Sequence, residues 1–89
     1  MPALHTDGEG TTLSVYSRTY CHLCDDMITG LRSLQARFRF RIEVIDVDAD
    51  AGLEDRYGED VPVLVHGDRE LCRHRLDTGL ISDYLTKIG

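Results

Sequence analysis

The apolar positions along this chain change period several times, and each change marks a new element. In "TTLSVYS", residues 11–17, Leu13 and Val15 alternate with polar neighbours among good strand formers, which predicts a first strand. From Cys21 the step becomes three and four: Leu23, Met27, Leu31, Leu34 and Phe38 trace one face of an amphipathic helix. Thr19 is its expected cap, and Asp25 and Asp26 suit the positive end of its dipole. "RIEVIDVD" carries Ile42, Val44, Ile45 and Val47 in a nearly continuous run, the pattern of a strand covered on both faces. Asp50 then caps a short helix in which Leu53 and Tyr57 lie one turn apart, and Gly58 closes it. "VPVLVHGDRELCRHR" predicts a hairpin, with a strand over 61–65, a two-residue turn at Gly67 and Asp68, and a return over 69–75. Pro62 cannot donate to a ladder and fits only a strand start or an edge. Asp77 caps a last helix, with Leu76 and Ile81 as a hydrophobic staple and Leu80, Tyr84, Leu85 and Ile88 facing the core.

Strand, helix, strand, helix, strand, strand, helix is an α/β order. It predicts a mixed four-stranded sheet, because a helix between the first two strands makes them parallel with a right-handed crossover. A chain of 89 residues builds one core. "MPALHTDGEG", residues 1–10, has no period and carries Pro2, Gly8 and Gly10, so it is expected to be a flexible leader to a domain over 11–89.

Charge removes one function class. Ten Lys and Arg against 16 Asp and Glu, a net charge of −6, do not supply the clustered basic surface that nucleic acid requires. The local exception "RFRFR", residues 37–41, is expected to be a helix end running into a strand, with Phe38 and Phe40 facing inward. The apolar runs fall short of a membrane span, and three cysteines is an odd number with no secretory leader before them. The expectation is a soluble, cytoplasmic monomer without a membrane partner. In that compartment paired cysteines are more often catalytic or metal-binding than structural.

Cys21 and Cys24, with His22 between them, are therefore either a redox pair or half of a metal site. Cys21 falls where a strand hands over to a helix, so unpaired backbone N–H groups surround its sulfur and favour a thiolate, the nucleophilic form. Arg18 adds positive potential from the loop and Asp25 opposes it. Cys24 is one helical step deeper and close enough to form a disulfide after small adjustment, which makes Cys21 the attacking and Cys24 the resolving thiol. His22 can stabilise the thiolate when protonated. The rival is a zinc-binding module in which Cys72 and His74 join Cys21 and Cys24 as four ligands.

The run "VYSRTYCHLCDDM", then "DVPVLV", a hairpin and a last helix resembles glutaredoxins and the wider thioredoxin-fold family. The resemblance is nearest to small bacterial glutaredoxin-like proteins of uncharacterised function and covers residues 12–89. It implies a thioredoxin-like fold, β-α-β-α-β-β-α, with helices on both faces of the sheet. It further implies a glutaredoxin-like protein-disulfide oxidoreductase active in electron transport, holding no bound cofactor, with protein disulfides or glutathione as partners. It places a cis bond before Pro62, so that the backbone of Val61 pairs with substrate beside Cys21. Arg18 stands where many glutaredoxins carry lysine, which implies a role with the thiolate or a glutathione carboxylate, Tyr20 adjoins the motif as a peptide contact, and Asp77 and Thr78 are the positions offered to a γ-glutamyl end. The chain departs from the family in having His22 and Leu23 instead of Pro-Tyr between the cysteines, and no Gly-Gly pair before the last helix. A thioredoxin-like module that binds a partner or senses oxidation without turnover is the remaining alternative.

Overall fold

The computed structural model describes residues 10–88, and its elements follow the expected order. They are β1 (Thr12–Ser17), α1 (His22–Leu34), β2 (Arg41–Asp46), α2 (Ala51–Tyr57), β3 (Val63–His66), β4 (Arg69–Arg73) and α3 (Thr78–Ile88), with one 3-10 turn, Val47–Ala49, before α2. All of the expected leader except Gly10 lies outside the described residues. The strand order is β2-β1-β3-β4. β1 and β2 are parallel, from Thr12 opposite Arg41 to Ser17 opposite Asp46, whereas β3 runs antiparallel to both β1 and β4.

Alternation along β1 separates the two faces of the sheet. Leu13, Val15 and Ser17 are buried, and the first two join Met27, Leu31, Leu34, Phe40, Leu64, Ile81 and Leu85 in one core between the sheet, α1 and α3. On the other face Tyr16 meets Tyr57 of α2, their rings 4.2 Å apart and 16° from parallel. Helices therefore cover both faces, but only one face is a broad apolar core. A fully buried aliphatic side chain is worth roughly 1.5–3 kcal/mol, so that face supplies most of the hydrophobic stabilisation.

Several local expectations change. β2 is an edge strand and not a doubly covered one: Ile42 and Ile45 are half-buried and Val44 is 49 % exposed, because the outermost strand is only partly overlaid. α1 ends at Leu34, and the turns that follow bring Phe38 and Phe40 inward, as expected of those aromatics. β3 begins at Val63, after the proline. In α3 the buried residues are Ile81 and Leu85, whereas Leu80 and Ile88 are 44 % and 42 % exposed. Asp77 caps the helix as expected: its Oδ1 accepts from the Leu80 N–H at 3.0 Å and its carbonyl from the Ile81 N–H at 3.0 Å. The apolar arc of α3 is thus wider than the stripe that packs.

Two glycines illustrate different uses. Gly67 opens the two-residue hairpin turn with φ of 61°, the left-handed conformation that position requires. Gly58 ends α2 as the sequence predicts, and it does so in a right-handed conformation, at φ −53° and ψ −33°. Its role is space: a Cβ there would lie 2.5 Å from the Glu54 carbonyl oxygen, 2.7 Å from Glu54 Oε2 and 3.1 Å from Arg18 Nη2.

Candidate active site

The chain leaves β1 through Arg18 and Thr19 and reverses at Tyr20, whose φ is 62° and whose side chain is fully exposed. A bulky residue in the left-handed region is uncommon, and such conformations concentrate at functional turns. The reversal places Cys21, extended at φ −112° and ψ 108°, at the N-cap of α1. Its Sγ accepts the Cys24 N–H at 3.2 Å, and its carbonyl accepts the Asp25 N–H at 3.1 Å. The cap is therefore the sulfur of Cys21, not Thr19 as the sequence suggests. A first-turn N–H aimed at sulfur provides the polarity that a nucleophilic or departing sulfur needs.

Cys24 has a contrasting environment. It is 1 % exposed, while Cys21 is partly accessible, and both are free thiols. Burial above all pushes the Cys24 thiol up to about 12, and the neighbouring Cys21 sulfur adds to the effect. The backbone N–H of Arg18 acts on the Cys24 sulfur in the opposite direction.

The Val61-Pro62 bond is cis, as the family resemblance implies. Tyr16 pairs with Val63, so the loop leaving β1 and the residues entering β3 lie at the same end of the sheet. Pro62 is buried and Val61 half-buried. The end of β4 braces this segment: the His74 N–H donates to the Pro62 carbonyl at 2.7 Å, and Arg73 Nη1 meets Asp60 Oδ2 at 3.0 Å. A groove of about 330 Å³ runs between α1 and the β4–α3 connection, with Leu23, Met27 and Leu76 supplying apolar surface and Asp26, His74, Arg75 and Thr78 supplying polar groups.

Thus Cys21, Cys24, Tyr20, Val61 and Pro62 come from two segments at one end of the sheet, and Thr78 lines the adjoining groove. His22 is exposed as the first residue of α1. Asp77 serves α3 as its cap. Arg18, expected to face the thiolate or a glutathione carboxylate, instead gives its guanidinium to Asp48 and Glu54. The zinc set is not assembled: among the described residues no three His, Cys, Asp or Glu side chains are placed to hold a metal ion. Cys72 packs against the core from β4, where burial raises its thiol, and His74 turns with φ 70° beside the proline segment.

Sequence reasoning did not find Asp48 and Glu54 as partners of Arg18, nor Arg75 as a groove residue. The available signal was a lone cation before the motif and the acidic run "DVDAD". In that run Asp46 caps the 3-10 turn and Asp50 caps α2, leaving Asp48 to pair with Arg18.

A strand-to-helix dithiol at the same end of a mixed sheet as a cis-proline segment agrees with the comparison to known families. The family model described as "Glutaredoxin-like domain (DUF836)" matches residues 12–86. The chain belongs to this glutaredoxin-like family. Protein Ne2328 of Nitrosomonas europaea, solved by solution NMR, is similar to this glutaredoxin-like domain at 42 % identity and a TM-score of 0.79, covering 92 % of this chain and 99 % of that one. The X-ray structure of XcR50 from X. campestris matches at 32 % identity and a TM-score of 0.70, covering 86 % and 99 %. The germline-specific thioredoxin Deadhead of Drosophila melanogaster, at 22 % identity and a TM-score of 0.58 over 89 % of this chain and 81 % of that one, shares the fold. Among curated proteins none matches. The glutaredoxin-like domain thus has the thioredoxin-like fold that its sequence implies, and no helix among its described residues is long and apolar enough to cross a membrane.

Proposed function

We propose that this domain is a thiol-disulfide oxidoreductase whose substrates are protein disulfides. The supporting observation is the asymmetry of the two thiols: Cys21 is accessible with an N–H aimed at its sulfur, whereas Cys24 is buried with its thiol pushed up to about 12. In the first step the Cys21 thiolate attacks one sulfur of the substrate disulfide, forming a mixed disulfide and expelling the other sulfur as thiolate. In the second, Cys24 gives its proton to solvent and attacks Cys21 Sγ, releasing the substrate's remaining thiolate. The dithiol is oxidised by two electrons and the substrate disulfide is reduced to two thiols.

The burial of Cys24 orders these steps. Before attack, the Cys21 sulfur and its charge add to burial in keeping Cys24 protonated. Once Cys21 carries the substrate it bears no charge, so those contributions vanish, burial remains, and the Arg18 N–H still favours the anion. The resolver thus gains acidity only after the mixed disulfide has formed.

Preference for a protein over glutathione follows from the cations. Glutathione carries two carboxylates, and the lysine-equivalent Arg18 is occupied by Asp48 and Glu54. The groove beside the dithiol combines apolar Leu23, Met27 and Leu76 with a polar rim, which suits an extended peptide. The fully exposed Tyr20 offers an aromatic contact next to the nucleophile.

The test is to incubate reduced Cys24→Ser protein with a protein disulfide and, separately, with glutathione disulfide, and follow the adduct on Cys21 by mass. A trapped adduct that forms faster with the protein disulfide is expected. No adduct with either at neutral pH would refute the reading.

A further inference from the structure

Arg18 follows β1, three residues before Cys21, and its side chain points at the 3-10 turn and α2. Nε donates to Asp48 Oδ2 at 3.2 Å, while Nη2 donates to Asp48 Oδ1 at 3.0 Å and to Glu54 Oε2 at 3.0 Å. The two bonds to Asp48 use the planar fork of the guanidinium, a geometry lysine cannot reproduce. Both acids sit on fixed backbone: the Asp48 N–H is held by Asp46 Oδ1 at 2.9 Å, and α2 is capped by Asp50. Gly58 leaves the space that Glu54 and Arg18 occupy, since a Cβ would press on both.

We propose that Arg18 is a positioning residue of the dithiol and not a substrate contact: its guanidinium, clamped by Asp48 and Glu54, fixes the turn that carries the chain from β1 to the Cys21 cap and on to Cys24. The proposal rests on the dithiol reading above and assigns to its second step a group 30 and 36 residues from its two acids in sequence. The start of the loop is held by the clamp and its end by the Cys21 cap. Only resolution needs Cys24 negative, so loosening the clamp slows resolution and spares the attack by Cys21.

The test uses the aromatic disulfide dithiobis-nitrobenzoate with a protein in which Cys72→Ala leaves two thiols. Cys21 attacks the reagent and expels one thionitrobenzoate. Cys24 then attacks Cys21 Sγ and expels the second, so that protein dithiol becomes disulfide and reagent becomes two thiolates. Rapid mixing separates the two releases. In Arg18→Gln the second release should slow about fivefold while the first stays within about twofold, with Arg18→Lys intermediate, the scale at which a networked charge pair affects a rate. The Asp48→Asn/Glu54→Gln pair should reproduce Arg18→Gln from the other side of the clamp. A second release unchanged by Arg18→Gln, or both releases slowed equally, would overturn the proposal. Independently of exchange, the thiolate absorbance of Cys24 in a Cys21→Ala/Cys72→Ala protein should titrate at higher pH after Arg18→Gln. An unmoved midpoint rejects the clamp even if exchange stands, whereas absence of a second release from the parent protein rejects the dithiol reading itself.

Discussion

The two faces of the sheet are held by different physics. Toward α1 and α3 lie Leu13, Val15, Met27, Leu31, Leu64 and Ile81, each 0–1 % exposed. Toward α2 lie the Tyr16–Tyr57 stack, the Arg18 clamp, and Arg73, whose guanidinium binds Asp60 at 3.0 Å and Glu70 at 2.6 Å, the latter pair lining a polar hollow of about 360 Å³. Burial acts in proportion to area and tolerates small shifts, whereas half-exposed ion pairs depend on geometry and are screened by salt. The dithiol sits where the two meet: Cys24 belongs to the buried face of α1, and Arg18 belongs to the polar side. The apolar face gives the site its stability, and the polar face gives it alignment.

The largest expected effect tests the apolar face. Leu31→Ala should lower stability by about 2–5 kcal/mol, because it leaves a cavity in a site with no solvent access. Urea unfolding measures it, and a loss under about 1 kcal/mol would mean that this face is not the main support.

Cys24 gives that face a pH dependence. Its folded pKa, about 12, lies above the ordinary 9.0, so its contribution is whole below pH 9.0 and is lost as the pH rises toward 12. Thermal melts of the reduced protein should therefore fall over that window more steeply than those of Cys24→Ser. Equal slopes would remove Cys24 from the apolar face.

Two glycines sharpen the contrast. Gly58→Ala should destabilise by about 1–3 kcal/mol, since the new Cβ meets a backbone oxygen at 2.5 Å. Gly30→Ala faces an equally short approach, 2.5 Å to Leu76 Cδ2, but that atom is the end of a flexible side chain. Helix propensity returns about 1 kcal/mol there, so its net change should stay within about 1 kcal/mol. If denaturant titration puts the two in reverse order, the α2 side is the more yielding one.

The smallest effects lie on the polar side. Tyr57→Leu should cost about 1 kcal/mol through the lost stack. Raising salt from about 0.1 M to about 1 M shortens the screening length from about 10 Å to about 3 Å, and should destabilise the parent slightly more than Asp48→Asn/Glu54→Gln. Identical salt slopes would show that the clamp contributes alignment alone.

Much of this was legible in the chain. The Asp50 and Asp77 caps, the Gly67 turn and the placement of Cys21 and Cys24 at a strand-to-helix junction all stand as read. Misreadings arose where a local pattern has two tertiary solutions. A continuous apolar run in β2 fits a central strand or a half-covered edge. Five apolar residues on α3 offer more than one stripe, and packing in the core selected Ile81 and Leu85. Gly58 ends α2 as read, and the structure adds that its missing side chain leaves room for Glu54 and Arg18.

By itself the sequence determined the kind and order of the elements and the pair of thiols between β1 and α1. Period, cap and turn chemistry are properties of neighbouring residues, and each segment carries its own. Only the tertiary structure decided which strand lies at the edge, which stripe of α3 is buried, and that Arg18 closes on Asp48 and Glu54, 30 and 36 residues away. Those choices depend on which distant surfaces meet once the core has packed, and no local pattern encodes the meeting.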